Sequence, residues 1–381
     1  METTRANQAY CAVAVLYMAL ELSAKKWVVL FSDGTRRQRQ VVVSAGHRQA
    51  LLAQMALAKT KLGLAANAPV VSCYEAGRDG FWLHRWLLSV GVDTRVVDAA
   101  SIEVPQRAKR VKTDRVDVAK LMQLLLRWHG GDGRDWHEVR VPTVAQEDQR
   151  RLQRERHRLL KERTSASNRI GSLLVTQGLA LTLNRHFPEA LGELRCWDGS
   201  ALPAQLRAEL QRQWERYELA GRHLAALQAQ QAQRLSHAAA DDTMAQQVKQ
   251  LMRLGSLGVQ SAWTLSGEVF AWREIKNRWQ LGALAGLTPT PYASGDSQRE
   301  QGISKAGIAG VRTAMIELSW LWLRYQPDSA LSGWFQRRFG DTGSKRSRRI
   351  GIVALARRLL VALWRYLHDG VIPAGAVLKS G

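Results

Sequence analysis

Trp27-Val28-Val29-Leu30-Phe31-Ser32-Asp33-Gly34-Thr35 decides how the N-terminal third of this chain folds. Its five apolar residues, rich in β-branched and aromatic types, read as a buried strand, and Ser-Asp-Gly-Thr reads as a tight turn. Links this short join antiparallel neighbours, because parallel strands need a long crossover. Upstream, Val13 to Leu22 reads as another buried strand; downstream, Gln40 to Ala45 reads as a third. Beyond them the period changes. Leu51, Leu52, Met55, Ala58 and Leu62 recur at helical spacing over His47 to Leu62. A strand at Pro69 to Glu75, a helix from Asp79 to Val90, a strand at Thr94 to Asp98 and a helix opening at Asp114 complete the run. Three antiparallel strands followed by alternating helices and strands predict an α/β domain with an RNase H-like mixed sheet.

That order gives four carboxylates a common address. Glu21 falls near the end of the first strand and Glu75 ends the fourth. Lys112-Thr113-Asp114-Arg115-Val116-Asp117 opens the helix after the fifth. Residues three apart on a helix are surface neighbours, so Asp114 and Asp117 share a face. Groups beyond strand ends are where open α/β sheets carry their sites. Neighbouring carboxylates repel unless a cation lies between them, and Mg²⁺ or Mn²⁺ accepts oxygen ligands of this kind. Glu21, Glu75, Asp114 and Asp117 are therefore candidate metal ligands and catalytic acids for phosphoryl transfer. Lys112 and Arg115 beside them are candidate phosphate contacts. A plainer reading competes for single residues: Asp at a helix start commonly caps it, and Glu75 before Ala76-Gly77 suits a turn. The weight rests on the set.

The bulk charge agrees with a polyanionic partner. Lys and Arg number 55 against 33 Asp and Glu, a net charge of +22. A pI near 10.6 points to nucleic acid before membrane. Glu21 interrupts the longest N-terminal apolar run, so no membrane span is expected, and no cleavable signal stands before it. Cys11, Cys73 and Cys196 form neither a disulfide framework nor a zinc motif, and a reducing cytoplasm is the expected location.

Gln146 to about Gly178 and Pro203 to about His237 read as two long helices, most economically an antiparallel hairpin. Arg150, Arg151, Arg154, Arg156 and Arg158 either track a phosphate backbone or form a solvated face. Further on, Gly255 and Gly258 bracket Ser256-Leu257 between two helical patterns, in the manner of a helix-hairpin-helix whose backbone N–H groups meet phosphate. Ala285 to Gly295 reads as an irregular loop, after which Gly302-Ile303-Ser304-Lys305-Ala306-Gly307 introduces another helix. On that loop Ser294 would be exposed, with Arg299 and Lys305 near in sequence. A serine so placed can attack phosphate if it is activated and the developing charge is stabilised. A Ser-Gly pair is also an ordinary turn, and chemistry alone does not rank Ser294 above Ser297 or Ser304.

Taken in order, Tyr74-Glu75-Ala76-Gly77, Lys112-Thr113-Asp114-Arg115-Val116-Asp117, Leu254-Gly255-Ser256-Leu257-Gly258, Ala285-Gly286-Leu287-Thr288-Pro289, Tyr292-Ala293-Ser294-Gly295 and Gly302-Ile303-Ser304-Lys305-Ala306-Gly307 carry a family likeness. The chain resembles the DEDD transposases of insertion sequences, whose members include bridge-RNA-guided serine recombinases. The likeness runs from about Leu16 to Ala354. It implies an RNase H-like (RuvC-like) domain over residues 10–140, a helical coiled-coil linker over 144–240 and a helical C-terminal transposase domain over 244–370. Glu75, Asp114 and Asp117 match the family's last three acids, and Ser294 matches its nucleophile. The first acid is usually an aspartate in a Gly-Ile-Asp-Val-type strand; Ala19-Leu20-Glu21-Leu22 stands there instead. The extra methylene shifts a bound ion by roughly an ångström, enough to matter for rate.

The implied activity is cleavage and rejoining of DNA at element ends and target, with a guide RNA choosing the sites. It also implies a homo-oligomer, dimer or tetramer, acting at the nucleoid. Two other classes stay open: a metal-dependent junction-resolving endonuclease without a covalent intermediate, and a catalytically decayed copy that only binds nucleic acid.

Overall fold

The computed structural model describes residues 14–77, 79–98, 114–134, 136–294, 297–340 and 344–379; for 114, 115 and 291–301 the description covers the backbone alone. The chain forms two compact units, Met1–Pro142 and Thr143–Gly381.

In the first unit the strands are β1 (Leu16–Leu22), β2 (Lys26–Ser32), β3 (Gln38–Ser44), β4 (Val70–Glu75) and β5 (Val92–Val97). They lie in the order β3-β2-β1-β4-β5. The first three pair antiparallel, while β4 runs parallel to both β1 and β5. This is the mixed five-stranded sheet that the strand order predicts. The crossovers are helices α1 (Arg48–Leu62), between β3 and β4, and α2 (Trp82–Ser89), between β4 and β5; α3 (Asp114–His129) comes after β5. Helix α2 begins later than the sequence suggests, because Asp79 and Gly80 form a turn in which Gly80 takes φ +66°.

Alternation along each strand sorts its side chains between two layers. Leu16, Met18 and Leu20 of β1 and Val70 and Tyr74 of β4 pack against Leu51 and Met55 of α1 and Leu83 and Leu87 of α2. Ala19 of β1 and Val71 and Cys73 of β4 face Val118, Leu121 and Leu125 of α3. Both faces of the sheet are covered, which is why β1, β2 and β4 read as continuous apolar runs instead of alternating ones.

The second unit opens on Thr143, whose side chain accepts from Gln146 N–H while Gln146 returns the bond, a capping box for α4 (Val144–Gln149). Helices α5 (Arg151–Val175) and α7 (Ala204–Ser236) then form a long hairpin around the short helix α6 (Phe187–Glu193). Its direction follows from its cross-links: Arg169 meets Glu209, Arg163 meets Tyr217 and Gln153 meets Gln231, so one helix ascends as the other descends. Ile170, Leu174, Leu210 and Trp214 fill one end and Leu159, Leu224 and Leu227 the other.

The remainder comprises α8 (Thr243–Met252), α9 (Val259–Leu265) running into a π-helical turn at Ser266–Phe270, α10 (Arg278–Leu284), α11 (Ala309–Tyr325), α12 (Ala330–Phe339) and α13 (Lys345–Asp369). Val248, Leu251, Trp263, Met315, Trp322, Leu359 and Leu363 share one core. One expectation needs correction: the segment from Ala285 is not irregular throughout. Residues Pro289–Ser294 (β6) and Ser297–Ile303 (β7) form an antiparallel hairpin, so the unit is not all-α. The ribbon escapes sequence reading because Pro289 and Pro291 depress strand propensity, and Gln298, Arg299 and Glu300 show no apolar alternation. In a two-stranded ribbon both strands are edges, where proline is tolerated. The register shift lies between those two prolines.

Candidate functional site

The sheet register brings two of the predicted acids side by side. Leu20 of β1 pairs with Tyr74 of β4, so Glu21 and Glu75 are the next residues on adjacent parallel strands. Neighbouring strands lie about 4.8 Å apart. Since Ala19 and Cys73 face α3, the period of two puts Glu21 and Glu75 on that same face.

Helix α3 runs opposite to those strands. At its C-terminal end the Nδ1 of His129 lies 2.9 Å from the Tyr17 hydroxyl, near the start of β1. Midway, the Cys73 thiol donates to the Leu121 carbonyl at 3.6 Å. From Leu121 back to Asp117 is about 6 Å along the helix. From Cys73 forward to Glu75 is about 6.6 Å along the strand. The first turn of α3 is thus level with the ends of β1 and β4, and Glu21, Glu75 and Asp117 stand at one end of one layer.

The Glu21 carboxylate has an oxygen sealed from solvent. Asp117 is about four-fifths covered, 22% exposed, with the Lys120 ammonium 3.6 Å away. Among the described residues no three His, Cys, Asp or Glu side chains gather closely enough to hold a metal ion. The Asp114 carboxylate, the fourth predicted acid, lies outside the described residues, as do the Arg115 side chain and all of Lys112. The donors are all carboxylate oxygens, which suits a hard divalent ion in kind. Cys73 and Tyr74 beside them are not acid–base candidates: burial pushes the Cys73 thiol up, and burial pushes Tyr74 up to about 12.

In the second unit Ser294 ends β6, paired across the hairpin with Ser297; its side chain and that of Arg299 lie outside the described residues. The stem of the hairpin is fixed by two close backbone approaches. Gly286 takes φ +65° and Gly307 φ +88°, and a Cβ on either would strike a carbonyl, Ala306 O for the first and Leu284 O for the second. Between them Lys305 has φ 55°, the one positive value outside glycine among the described residues. Its carbonyl accepts from the Arg312 guanidinium at 2.9 Å. Lys305 is exposed, as a phosphate contact requires.

Gly255 and Gly258 sit between α8 and α9 as the sequence suggests. Gly255 gives its N–H to the Val377 carbonyl at 3.3 Å, so that donor is occupied within the protein. Gly258 caps α9 in extended conformation with open space where a side chain would be.

Two of the arginines read as possible phosphate trackers are engaged otherwise. Arg150 and Arg154 both meet Glu268 on the π-helical turn at 2.7 Å. Gln153 between them donates to the Thr264 hydroxyl at 2.7 Å and accepts from Gln231 at 3.0 Å. This polar cluster ties the base of the α5–α7 hairpin to α9. A basic face elsewhere went unread: α13 carries Arg346, Arg349, Arg357 and Arg365 at spacings of three, eight and eight, along one side of a groove. Eight is about two helical turns, so these spacings keep the four arginines on one helix face, which is the signal the sequence carries.

Comparison with known proteins bears on both units. A transposase family model described as IS116/IS110/IS902 matches residues 248–332, from α8 through the β6–β7 hairpin to α12. "Putative transposase y4rJ" of Sinorhizobium fredii is 38% identical over 379 residues, covering 97% of this chain and 96% of that protein. The transposase for insertion sequence element IS1111A of Coxiella burnetii is 25% identical over 287 residues, 74% of each chain. Among the described residues no helix is long and apolar enough to cross a membrane. Matched across both units and in its hairpin-bearing core, the chain belongs to the IS116/IS110/IS902 family of transposases.

Proposed function

We propose that this transposase cleaves and rejoins DNA strands through a serine nucleophile and a carboxylate-held metal, the first unit being an RNase H-like domain. One observation carries the metal half of the reading: β1, β4 and α3 deliver Glu21, Glu75 and Asp117 to the same end of the same layer. The three carboxylates share that end without closing into a ligand cluster among the described residues, and Asp114, which opens the same helix, is the fourth acid of the proposed set; a cation between such groups would offset their repulsion.

Glu21, Glu75, Asp114 and Asp117 would hold Mg²⁺ or Mn²⁺, which supplies charge neutralisation at a phosphate and eases deprotonation of an attacking hydroxyl. Ser294 Oγ attacks phosphorus, its proton passing to a base, while the bond to the leaving deoxyribose oxygen breaks and that oxygen takes a proton. The phosphoserine diester conserves the bond energy, and a deoxyribose hydroxyl from the second strand reverses the step. Arg299 and Lys305 follow Ser294 in sequence as cations for the developing charge. Guide RNA delegates site choice to base pairing, and a homo-oligomer holds the DNA ends together.

Purified protein with Mg²⁺ and its element ends should give a DNA adduct that survives denaturation, absent in Ser294→Ala. Full recombination by Ser294→Ala would overturn the serine assignment and favour the hydrolytic junction endonuclease. Transposition that persists after deletion of the noncoding segments flanking the coding region would remove the guide from the scheme.

A further inference from the structure

Helices α10, α12 and α13 and the base of the β6–β7 hairpin enclose a groove of about 1290 Å³ within the second unit. Its charge is one-sided. Seven of its lining residues are arginines, and no Asp or Glu lines it among the described residues. Five of the seven come from α13, where Arg346, Arg349, Val353, Arg357, Val361 and Arg365 follow one another at intervals of three and four. That places them on one stripe, about 28 Å long. The opposite side of α13 is spent on the core through Ile352, Leu355, Leu359 and Leu363.

Between the arginines the surface is apolar and aromatic instead of polar. Trp279 is 60% exposed at the groove. The Arg278 and Arg357 guanidiniums lie 5.1 and 5.2 Å from its ring, and Arg358 lies 4.1 Å from the Trp334 ring. Intact duplex presents phosphates and groove edges, which do not compensate an apolar floor. An unpaired strand does both things at once: its phosphates meet the rim arginines and its base faces cover indole and aliphatic surface. The stripe matches about eight stacked nucleotides at 3.4 Å each. The groove also leads toward the proposed nucleophile, because Pro289 and Ile303 line it at the hairpin base and Ser294 lies about 16 Å further along β6.

We infer that this groove holds an unpaired DNA strand, with Trp279 as its stacking platform and the α13 arginines as its phosphate track. The inference rests on the chain acting on DNA, though not on Ser294 or on a bound metal.

The test is fluorescence anisotropy of the full-length protein in EDTA, so that no strand is cut. A labelled 16-nucleotide DNA strand, its duplex and the RNA strand of the same sequence serve as probes. The single DNA strand should bind more tightly than the duplex. Trp279→Ala should weaken strand binding about tenfold, as loss of one stacked base does, with duplex binding changed less than twofold; Trp279→Phe should recover most of the loss. Arg349→Gln with Arg357→Gln should flatten the salt dependence for the single strand by about 1.4 in log–log slope. Unchanged melting temperatures keep these variants comparable.

Equal losses for strand and duplex, or no loss in either set of variants, overturn the inference. Preference for the RNA strand makes the groove a guide-RNA site and overturns it as a DNA site. Displacement of probe by an acidic amphipathic peptide, with Trp279→Ala silent toward DNA, assigns the groove to a protein partner and overturns it too. Ser294→Ala should bind the strand normally, so failure of the serine reading in recombination assays remains separate from failure here.

Discussion

On the proposed reading, the two units meet a polyanion in opposite ways. The first gathers acids where strands end: Glu21 and Glu75 on adjacent strands and Asp117 on the helix above them. The second spreads arginines along α13, with Val353 and Val361 spaced between them and no carboxylate in the lining among the described residues. Acids contributed by three elements depend on tertiary structure for every distance between them, and bringing like charges together is opposed by their repulsion. Arginines contributed by one helix need only that helix. Damage to the first site should therefore be all-or-none, and damage to the second should be graded.

The largest effect tests that contrast directly. Asp114→Asn and Asp117→Asn each remove a charge from the acidic end while keeping shape, and transposition frequency should fall about a hundredfold to a thousandfold. Removal of one preorganised electrostatic group from an active centre costs on this scale. Each single arginine-to-glutamine change on α13 should cost tenfold or less. Should Asp117→Asn leave transposition within tenfold of wild type while the protein stays folded, Asp117 is only the ion-pair partner of Lys120 and the acidic site is misassigned.

Within the second unit the arginines themselves divide into two kinds, and stability separates them. Arg150 is nearly buried against Glu268, and Arg154 completes the pair of contacts. Burial alone would raise the Glu268 carboxyl, but Arg154 and Arg150 outweigh it and hold the group below the usual carboxylate range. Glu268→Gln strands a buried guanidinium, a loss of about 3 kcal/mol or more. The sign with pH follows from the depressed value. The contribution is fully present above the unfolded carboxylate pKa of about 4.3 and is lost as pH falls through the lower, folded value. Urea midpoints should differ widely between wild type and Glu268→Gln at pH 7 and converge in acid; a gap independent of pH would assign the loss to packing.

The same contrast explains how much the sequence discloses. The sheet was legible because its strands are apolar on both faces and its links are short, so order and period fixed the pairing of β1, β2 and β3. With the order known, the addresses of Glu21, Glu75 and Asp117 followed. The β6–β7 hairpin was not legible: its stem depends on Gly286 meeting the Ala306 carbonyl and Gly307 meeting the Leu284 carbonyl, contacts across twenty residues or more with no periodic trace. Nor did the composition separate Arg150, buried on Glu268, from Arg357, set in a groove. Both are arginines on helices, and only the position of a partner 118 residues away distinguishes the first.

The glycines give a sharper and smaller test of that hairpin. Gly307→Ala forces a side chain to adopt φ +88° and to press on Leu284 O, which should destabilise the second unit by about 2 kcal/mol or more. Gly258→Ala, at φ −91° with open space around it, should cost less than about 1 kcal/mol. Thermal unfolding of the two variants side by side decides whether the stem is as tightly fixed as its geometry implies; equal losses would contradict it.

Glu21 is where the smallest effect says most about the first unit. The resemblance implies an aspartate here, one methylene shorter, yet Glu21 has an oxygen sealed from solvent near the end of β1, on the sheet face that α3 covers. Glu21→Asp shortens the side chain by one methylene and withdraws its carboxylate by roughly an ångström, a misplacement on the scale that matters for rate. Transposition should fall about tenfold, roughly 1.4 kcal/mol, with the melting temperature nearly unchanged. A rise in transposition instead would mean that the longer acid holds its ion off the productive position, and that the layer above β1 and β4 accommodates the family's shorter residue better than this chain's own.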